Sequence, residues 1–257
     1  MLKRIVVNSS DLSKITGHNK FEPLQIYTDK LLNKHNIVCK HIPKSNIEKK
    51  LLGLNKEALQ KIKKELNLKN GATLKDVEQK LNIITSNSKT NSTEQGSKDD
   101  LKKSLKEKPN VNDLLKDSIE KDIRMVRGNI KENTALNKSQ KSLKTNIVKR
   151  NNEFYTKSLF KTDKCDVYLC GKVDGITEDN RLVETKSRRN KLFNKIPNYE
   201  KVQMECYMYL TDIPTCVHVE NFNDTQNISE YNHTEKFWNE CLDKTKLYIM
   251  ENVDTHL

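Results

Sequence analysis

The stretch from Leu159 to Ser187 constrains the fold most. Its apolar residues alternate with polar ones at the two-residue period of a β-strand, and a polar turn, Thr177-Glu178-Asp179-Asn180, interrupts them. Leu159 to Ile176 and Arg181 to Ser187 are therefore expected to form the two arms of a β-hairpin. The flanking segments have helical spacing. A short β-type run, Lys3 to Val7, precedes a helix that carries Leu12 and Ile15 and stops at Gly17, and a second helix follows Pro23 with Leu24, Tyr27, Leu31 and Leu32 in step. Pro197 opens a helix with a stripe of Tyr199, Val202, Cys206, Tyr209 and Leu210; Pro214 ends it, and Thr215 to Phe222 returns as a strand. Phe237 to Met250 closes the chain as an amphipathic helix with Trp238, Cys241, Leu242 and Leu247 or Ile249 inward. Strands interleaved with helices imply an α/β core with a central mixed β-sheet flanked by helices.

The middle of the chain differs. Ile47 to Ile84 reads as two or three short amphipathic helices, with Leu51, Leu54, Leu59, Ile62 and Leu66 as the apolar positions and a break at Asn70-Gly71. From Thr85 to Asn112 the composition shifts to Ser, Asn, Thr, Lys and Asp with almost no large apolar side chains, the mark of a disordered linker. A long helical pattern resumes at Val111 through Leu114, Leu115, Ile119, Ile123, Val126 and Ile130. The expected organisation is part of the core at 1–32, a helical insertion at 33–84, a low-complexity linker at 85–112 and the rest of the core at 113–257. With 34% hydrophobic and 32% charged residues in 257, one core plus solvated segments fits better than two full domains.

A net charge of +12 favours polyanionic partners, although a solvated lysine-rich face gives the same number. The six cysteines include no CxxC pair. His35 and His41 flank Cys39 without a second cysteine near enough for a zinc site, so the thiols are expected to be reduced and mostly buried. No signal peptide or membrane-length apolar run is present, which points to a soluble, intracellular protein with no membrane partner.

Chemistry concentrates at the hairpin. Asp174 stands between Gly171 and Gly175, and Glu184 and Lys186 lie on the second arm, on one strand face because side chains alternate; Thr185 points away and leaves its backbone carbonyl beside them. Folding the hairpin brings Asp174 opposite. Two carboxylates and a carbonyl form a hard oxygen site suited to Mg²⁺ or Mn²⁺, and a neighbouring lysine can orient a nucleophilic water. Exposed Glu-x-Lys triplets that pair on a surface are common, but the helix that follows carries Gln203 and Tyr207 one turn apart on one face. That combination favours phosphodiester hydrolysis. The run Lys186 to Lys191 fits phosphate contact, a nuclear address or a solvated loop. His218, in the strand Cys216 to Glu220, reads as structural, and Tyr199, Tyr207 and Tyr209 sit at core spacing.

Gly171-Lys172-Val173-Asp174-Gly175, then Leu182-Val183-Glu184-Thr185-Lys186, resembles the core motif of PD-(D/E)XK nucleases, whose fold is restriction-endonuclease-like, and Gln203 to Tyr207 resembles the QxxxY helix of their RecB-like branch. Ser9-Ser10-Asp11-Leu12 to Ile15-Thr16-Gly17, with Phe21-Glu22-Pro23-Leu24, resembles the N-terminal signature of YqaJ-type viral recombinases and lambda-exonuclease-like proteins; Arg127-Gly128 with Glu132 resembles the helix that supplies their additional acid. The resemblance implies that Glu132, Asp174, Glu184 and the Thr185 carbonyl arrange metal ions and that Lys186 assists the attacking water. It further implies that Gln203 supports the site or touches the DNA backbone, that Tyr207 packs behind it, and that Ser10 meets a DNA-end phosphate; Arg127, on the helix of Glu132, and Arg188 and Arg189, directly after Lys186, are further candidates to support the site or contact DNA. Val173 stands where proline is frequent, and Ser187-Arg188-Arg189 replaces a frequent Cys-Pro.

The function so implied is a metal-dependent DNA exonuclease in viral DNA recombination, repair or replication, in host cytoplasm or nucleus. Its implied partners are DNA and a single-strand annealing protein, and a homo-oligomer is within the pattern. Three other readings stay open: a structure-selective endonuclease using the same site, a catalytically silent DNA-binding protein, and a basic protein that binds nucleic acid only through its linker.

Overall fold

The computed structural model describes residues 2–21, 23–38, 43–91, 93–150, 153–188 and 190–257, with Lys131 described in its backbone only. The chain divides into two compact units, one of residues 1–41 with 132–257 and the other of residues 42–131.

The first unit opens with β1 (Lys3–Asn8), α1 (Ser9–Ile15) and α2 (Leu24–Lys34). The expected apolar positions Leu12, Ile15, Tyr27, Leu31 and Leu32 are buried, and Gly17 takes a φ of 74°, a left-handed conformation that suits glycine after a helix end.

The second unit is helical: α3 (Asn46–Leu52), α4 (Lys56–Glu65), α5 (Leu74–Ile84), α6 (Ser86–Thr90), α7 (Glu94–Leu105) and the first part of α8 (Pro109–Leu143). Side chains cap four of these helices at their N-termini. Ser45, Asn55 and Thr93 each accept a backbone N–H from the residue three positions on, and Thr73 forms a reciprocal box with Asp76. The expected linker, 85–112, is folded. Thr93 starts a helix on which Leu101 and Leu105, one turn apart, join the apolar core, while buried Ser88 and Ser97 meet through a hydrogen bond from Ser97 Oγ to the Ser88 carbonyl of 2.5 Å. Two leucines on one face with small residues behind them are enough to dock a helix against neighbours that already share a core; the low apolar content misled because it averaged over both faces.

The rest of α8 returns to the first unit, followed by β2 (Ile147–Arg150), β3 (Tyr155–Lys161), β4 (Cys165–Gly171), β5 (Gly175–Thr177), β6 (Leu182–Ser187), α9 (Asn198–Thr211), β7 (Thr215–Phe222), β8 (Thr225–Asn232) and α10 (Glu235–Asn252). The strands form two mixed sheets, β1-β4-β3 and β2-β5-β6-β7-β8, in which β1–β4 and β6–β7 are the parallel pairs. The expected single sheet and single hairpin are thus divided. Leu159 to Ile176 is three strands, and the chain leaves one sheet after Gly171 and enters the other at Gly175. Both glycines are there for close approach: a Cβ on Gly171 would collide with the Ser9 side chain, and one on Gly175 would stand 2.7 Å from Ile147 Cγ2. The β5–β6 turn falls at the expected place, with Asn180 at φ 59°. Helix α9 is buried on nearly every side, through Val202, Met204, Cys206, Tyr207, Met208 and Leu210, which makes it the centre of this unit. Five described cysteines are free and buried, and among the described residues no helix is long and apolar enough to cross a membrane.

Candidate active site

The parity of β6 and β7 sorts their side chains onto two faces. Leu182 and Cys216 join the core around α9, whereas Val183, Val217 and Val219 pack with Ile147 and with Leu136 of α8. In the parallel register Glu184 pairs with His218 and Lys186 with Glu220, so these four residues share the α9 face.

Asp174 sits in the break between β4 and β5, opposite the middle of β6. Thr185 donates its backbone N–H at 2.8 Å and its hydroxyl at 3.0 Å to Asp174 Oδ2. Because the N–H and C=O of one strand residue point to the same edge, the Thr185 carbonyl also faces the Asp174 side. Lys186 Nζ donates to Glu184 Oε1 and, at 3.0 Å, to Gln203 Oε1, and Gln203 donates through Nε2 to Tyr207 Oη at 2.7 Å. Tyr207 is also bonded to Ser9. The side chains of Asp174, Glu184, Lys186, Gln203 and Tyr207 are thus brought together, and the Thr185 hydroxyl, expected to point away from the site, joins them through Asp174.

The electrostatics favour a cation. The Glu184 side chain is only 2% exposed, and its Oε2 is buried with no hydrogen-bond partner. Burial and then the Asp174 charge push the Glu184 carboxyl up to about 8, and burial raises Asp174 as well despite Lys186 and the two Thr185 bonds. Burial opposes the Lys186 ammonium, but Glu184 and Asp174 more than offset it and hold its proton firmly. Two carboxylates crowded in a dry site, one with an orphaned oxygen, fit a hard divalent ion, which would relieve both the repulsion and the missing contact.

Other expected site residues lie elsewhere. Glu132 is half-buried on α8, one turn before Leu136, whose Cδ2 would stand 3.6 Å from a Cβ on Gly175; among the described residues, however, no three acidic, histidine or cysteine side chains gather as a metal-ligating group. Ser10 is exposed on α1, and its neighbour Ser9 is the serine that turns inward to Tyr207, because the helix places adjacent residues on different faces. Arg127 is buried in the helical unit, donating to the Asn91 carbonyl with Glu94 3.6 Å away, so it is not an exposed DNA contact. Arg188 also turns inward. Its Nη1 and Nη2 donate to the two oxygens of Glu200 at 2.6 and 2.8 Å, and its Nε donates to Glu220. Arg189 lies outside the described residues. His218 is fully buried, with Nε2 2.8 Å from Glu200 Oε2 and, among the described residues, Nδ1 without a partner.

Glu200 and Glu220 are polar neighbours of the site that sequence reasoning missed. The only signal for Glu200 was its place one turn before Gln203, and for Glu220 its strand parity with His218. Neither carries meaning until α9 is known to lie on that sheet face.

No family model matches the sequence, and no characterised relative was found by sequence comparison. Among solved structures, the alkaline exonuclease of Laribacter hongkongensis superposes with a TM-score of 0.52 at 11% identity, over 97% of this chain and 89% of that one. The same exonuclease in complex with dAMP gives 0.42 at 11% identity over 67% and 87%. A phage-related exonuclease from Haemophilus somnus 129PT gives 0.37 at 12% identity over 50% and 71%. The first of these superpositions establishes the fold: the chain is an α/β protein built like an alkaline exonuclease, as the motif resemblance implied.

Proposed function

Taking that fold as the premise, we propose that this protein is a metal-dependent deoxyribonuclease that removes nucleotides from DNA ends. The observation that carries the reading is the meeting of Asp174, Glu184 and Lys186 at the break between the two sheets, with Glu184 Oε2 buried and unpartnered.

In this reading Asp174, Glu184 and the Thr185 carbonyl hold Mg²⁺ or Mn²⁺, and Glu132 approaches from α8 as the additional acid. The bound ion supplies a Lewis acid for the phosphate and a water of lowered pKa. Lys186 keeps its proton, so its part is to orient the attacking water and to offset charge on the phosphate. Gln203, braced by Tyr207, fixes the ammonium from behind, and Ser9 braces Tyr207 in turn. The net charge of +12 draws DNA to the protein. The setting we infer is viral DNA recombination, repair or replication, with a single-strand annealing protein receiving the resected strand.

The test is cleavage of end-labelled linear duplex DNA with Mg²⁺, Mn²⁺ or EDTA, for wild type, Lys186→Ala and Glu184→Gln. Metal-dependent shortening from an end, lost in both variants, is expected, and the labelled end gives the polarity. Cutting of closed circular DNA would instead make the enzyme an endonuclease, and binding without cutting under either metal would reduce it to a DNA-binding protein.

A further inference from the structure

We propose that Arg188 is a positioning residue: by clamping Glu200 of α9 and Glu220 of β7 against the end of β6, it sets where Gln203 stands and so where the Lys186 ammonium lies. The proposal rests on the active-site reading above and deepens it.

The residues form one connected network, in which His218 Nδ1 is the atom left without a partner among the described residues. Arg188 follows Lys186 on the same strand parity, and its N–H still bonds the Asn221 carbonyl at 2.7 Å, so it continues the β6–β7 ladder. The fork of its guanidinium grips both oxygens of Glu200, while Nε reaches Glu220. The remaining acceptor capacity is filled as well. His218 lies 2.8 Å from Glu200, and Glu220 accepts the Phe193 and Asn194 N–H groups at 3.1 and 2.9 Å. The Phe193 ring covers the guanidinium 4.0 Å from its centroid. Arg188 and the two glutamates are between 0% and 9% exposed.

Stability alone does not explain such a cluster. A buried ion network is on balance no more stabilising than a well-packed apolar filling, and the opposite face of the same two strands presents valines that pack against Leu136 of α8. What the network adds is register. Glu200 and Gln203 are one helical turn apart, so a bidentate grip on the first fixes the rotation and height of the second. Gln203 Oε1 then receives the Lys186 proton donor at a set place, two residues before the arginine that set it. A lysine at 188 would supply charge without the planar fork and could not hold both glutamates at once.

The experiment measures kcat and KM on end-labelled duplex DNA with Mg²⁺ for wild type, Arg188→Met, Arg188→Lys and Gln203→Ala, and for Arg188→Met combined with Gln203→Ala. The ¹H–¹⁵N resonance of the Gln203 side-chain amide is followed in each variant that keeps it. Arg188→Met should lower kcat roughly 30-fold with KM within about 2-fold, Arg188→Lys should recover part of the loss, and the Gln203 resonance should move. In the Gln203→Ala background the same change should cost less than about 3-fold, since both act through one contact. A full loss repeated in that background, a change confined to KM, or an unmoved Gln203 resonance would overturn the proposal. Should Arg188→Met fail to fold, Glu200→Gln carries the same comparison. If the wild type cuts no DNA, the nuclease reading falls, and the Gln203 resonance still decides the positioning claim.

Discussion

The two faces of strands β6 and β7 solve burial in opposite ways. On one face Val183, Val217 and Val219 meet Leu136 and Ile147 in an apolar layer; on the other, Glu184, Lys186, His218, Glu220 and the inward Arg188 lie beneath α9. The apolar face needs only shape. The charged face needs its groups paired, and among the described residues the atoms there left without a partner are Glu184 Oε2 and His218 Nδ1. The comparison teaches that the charged side chains of these two strands share one parity, while the valines of the other parity pack the sheet.

Perturbing each face tests that division, beginning with the largest expected effect. Arg188→Met leaves Glu200 and Glu220 buried without their cation and should cost about 3–5 kcal/mol in urea unfolding. Leu136→Ala, on the apolar face, should cost about 2–4 kcal/mol through an unfilled cavity. A larger loss from Leu136 than from Arg188 would mean that the charged layer contributes less to holding the fold than its burial suggests.

Acid should distinguish the faces too. Burial opposes the Glu200 carboxylate, but Arg188 and His218 more than offset it and bring it from an ordinary 4.5 to about 2. A depressed carboxylate contributes stability that is present above its unfolded value and is lost as pH falls towards the folded one. Between pH 4.5 and about 2 the wild type should therefore lose more stability than Glu200→Gln, with equal losses in the two proteins excluding the idea. The smallest effect is expected at the rim: Thr185→Val removes the hydroxyl bond to Asp174 and should cost about 1 kcal/mol by the same unfolding measurement.

Much of this arrangement was legible in the sequence. The glycine-flanked Asp174, the alternation around Glu184 and Lys186, and the i, i+4 pair Gln203 and Tyr207 are local patterns, and local geometry reproduces them. The divided sheet was not legible, because nothing in the alternation of Leu159 to Ile176 marks where hydrogen bonding passes from one partner strand to another. Strand β8, rich in polar residues with little alternation, and the short β2 gave no pattern to read. For Arg188 the sequence left support of the site and DNA contact both open, for a related reason. A basic run after Lys186 suggests phosphate contact, and only the placement of α9 over β6 turns that guanidinium towards two buried glutamates. The folded 85–112 segment shows the converse, that two leucines in register suffice when a core is already waiting.

The most direct measurement is calorimetric titration of the metal-free protein with Mn²⁺, comparing wild type with Glu184→Gln and with Leu136→Ala as a control from the apolar face. The account predicts saturable binding in the wild type, retained in Leu136→Ala and at least about 10-fold weaker in Glu184→Gln. Equal Mn²⁺ affinity in wild type and Glu184→Gln would contradict it, since the charged face would then not be a metal site.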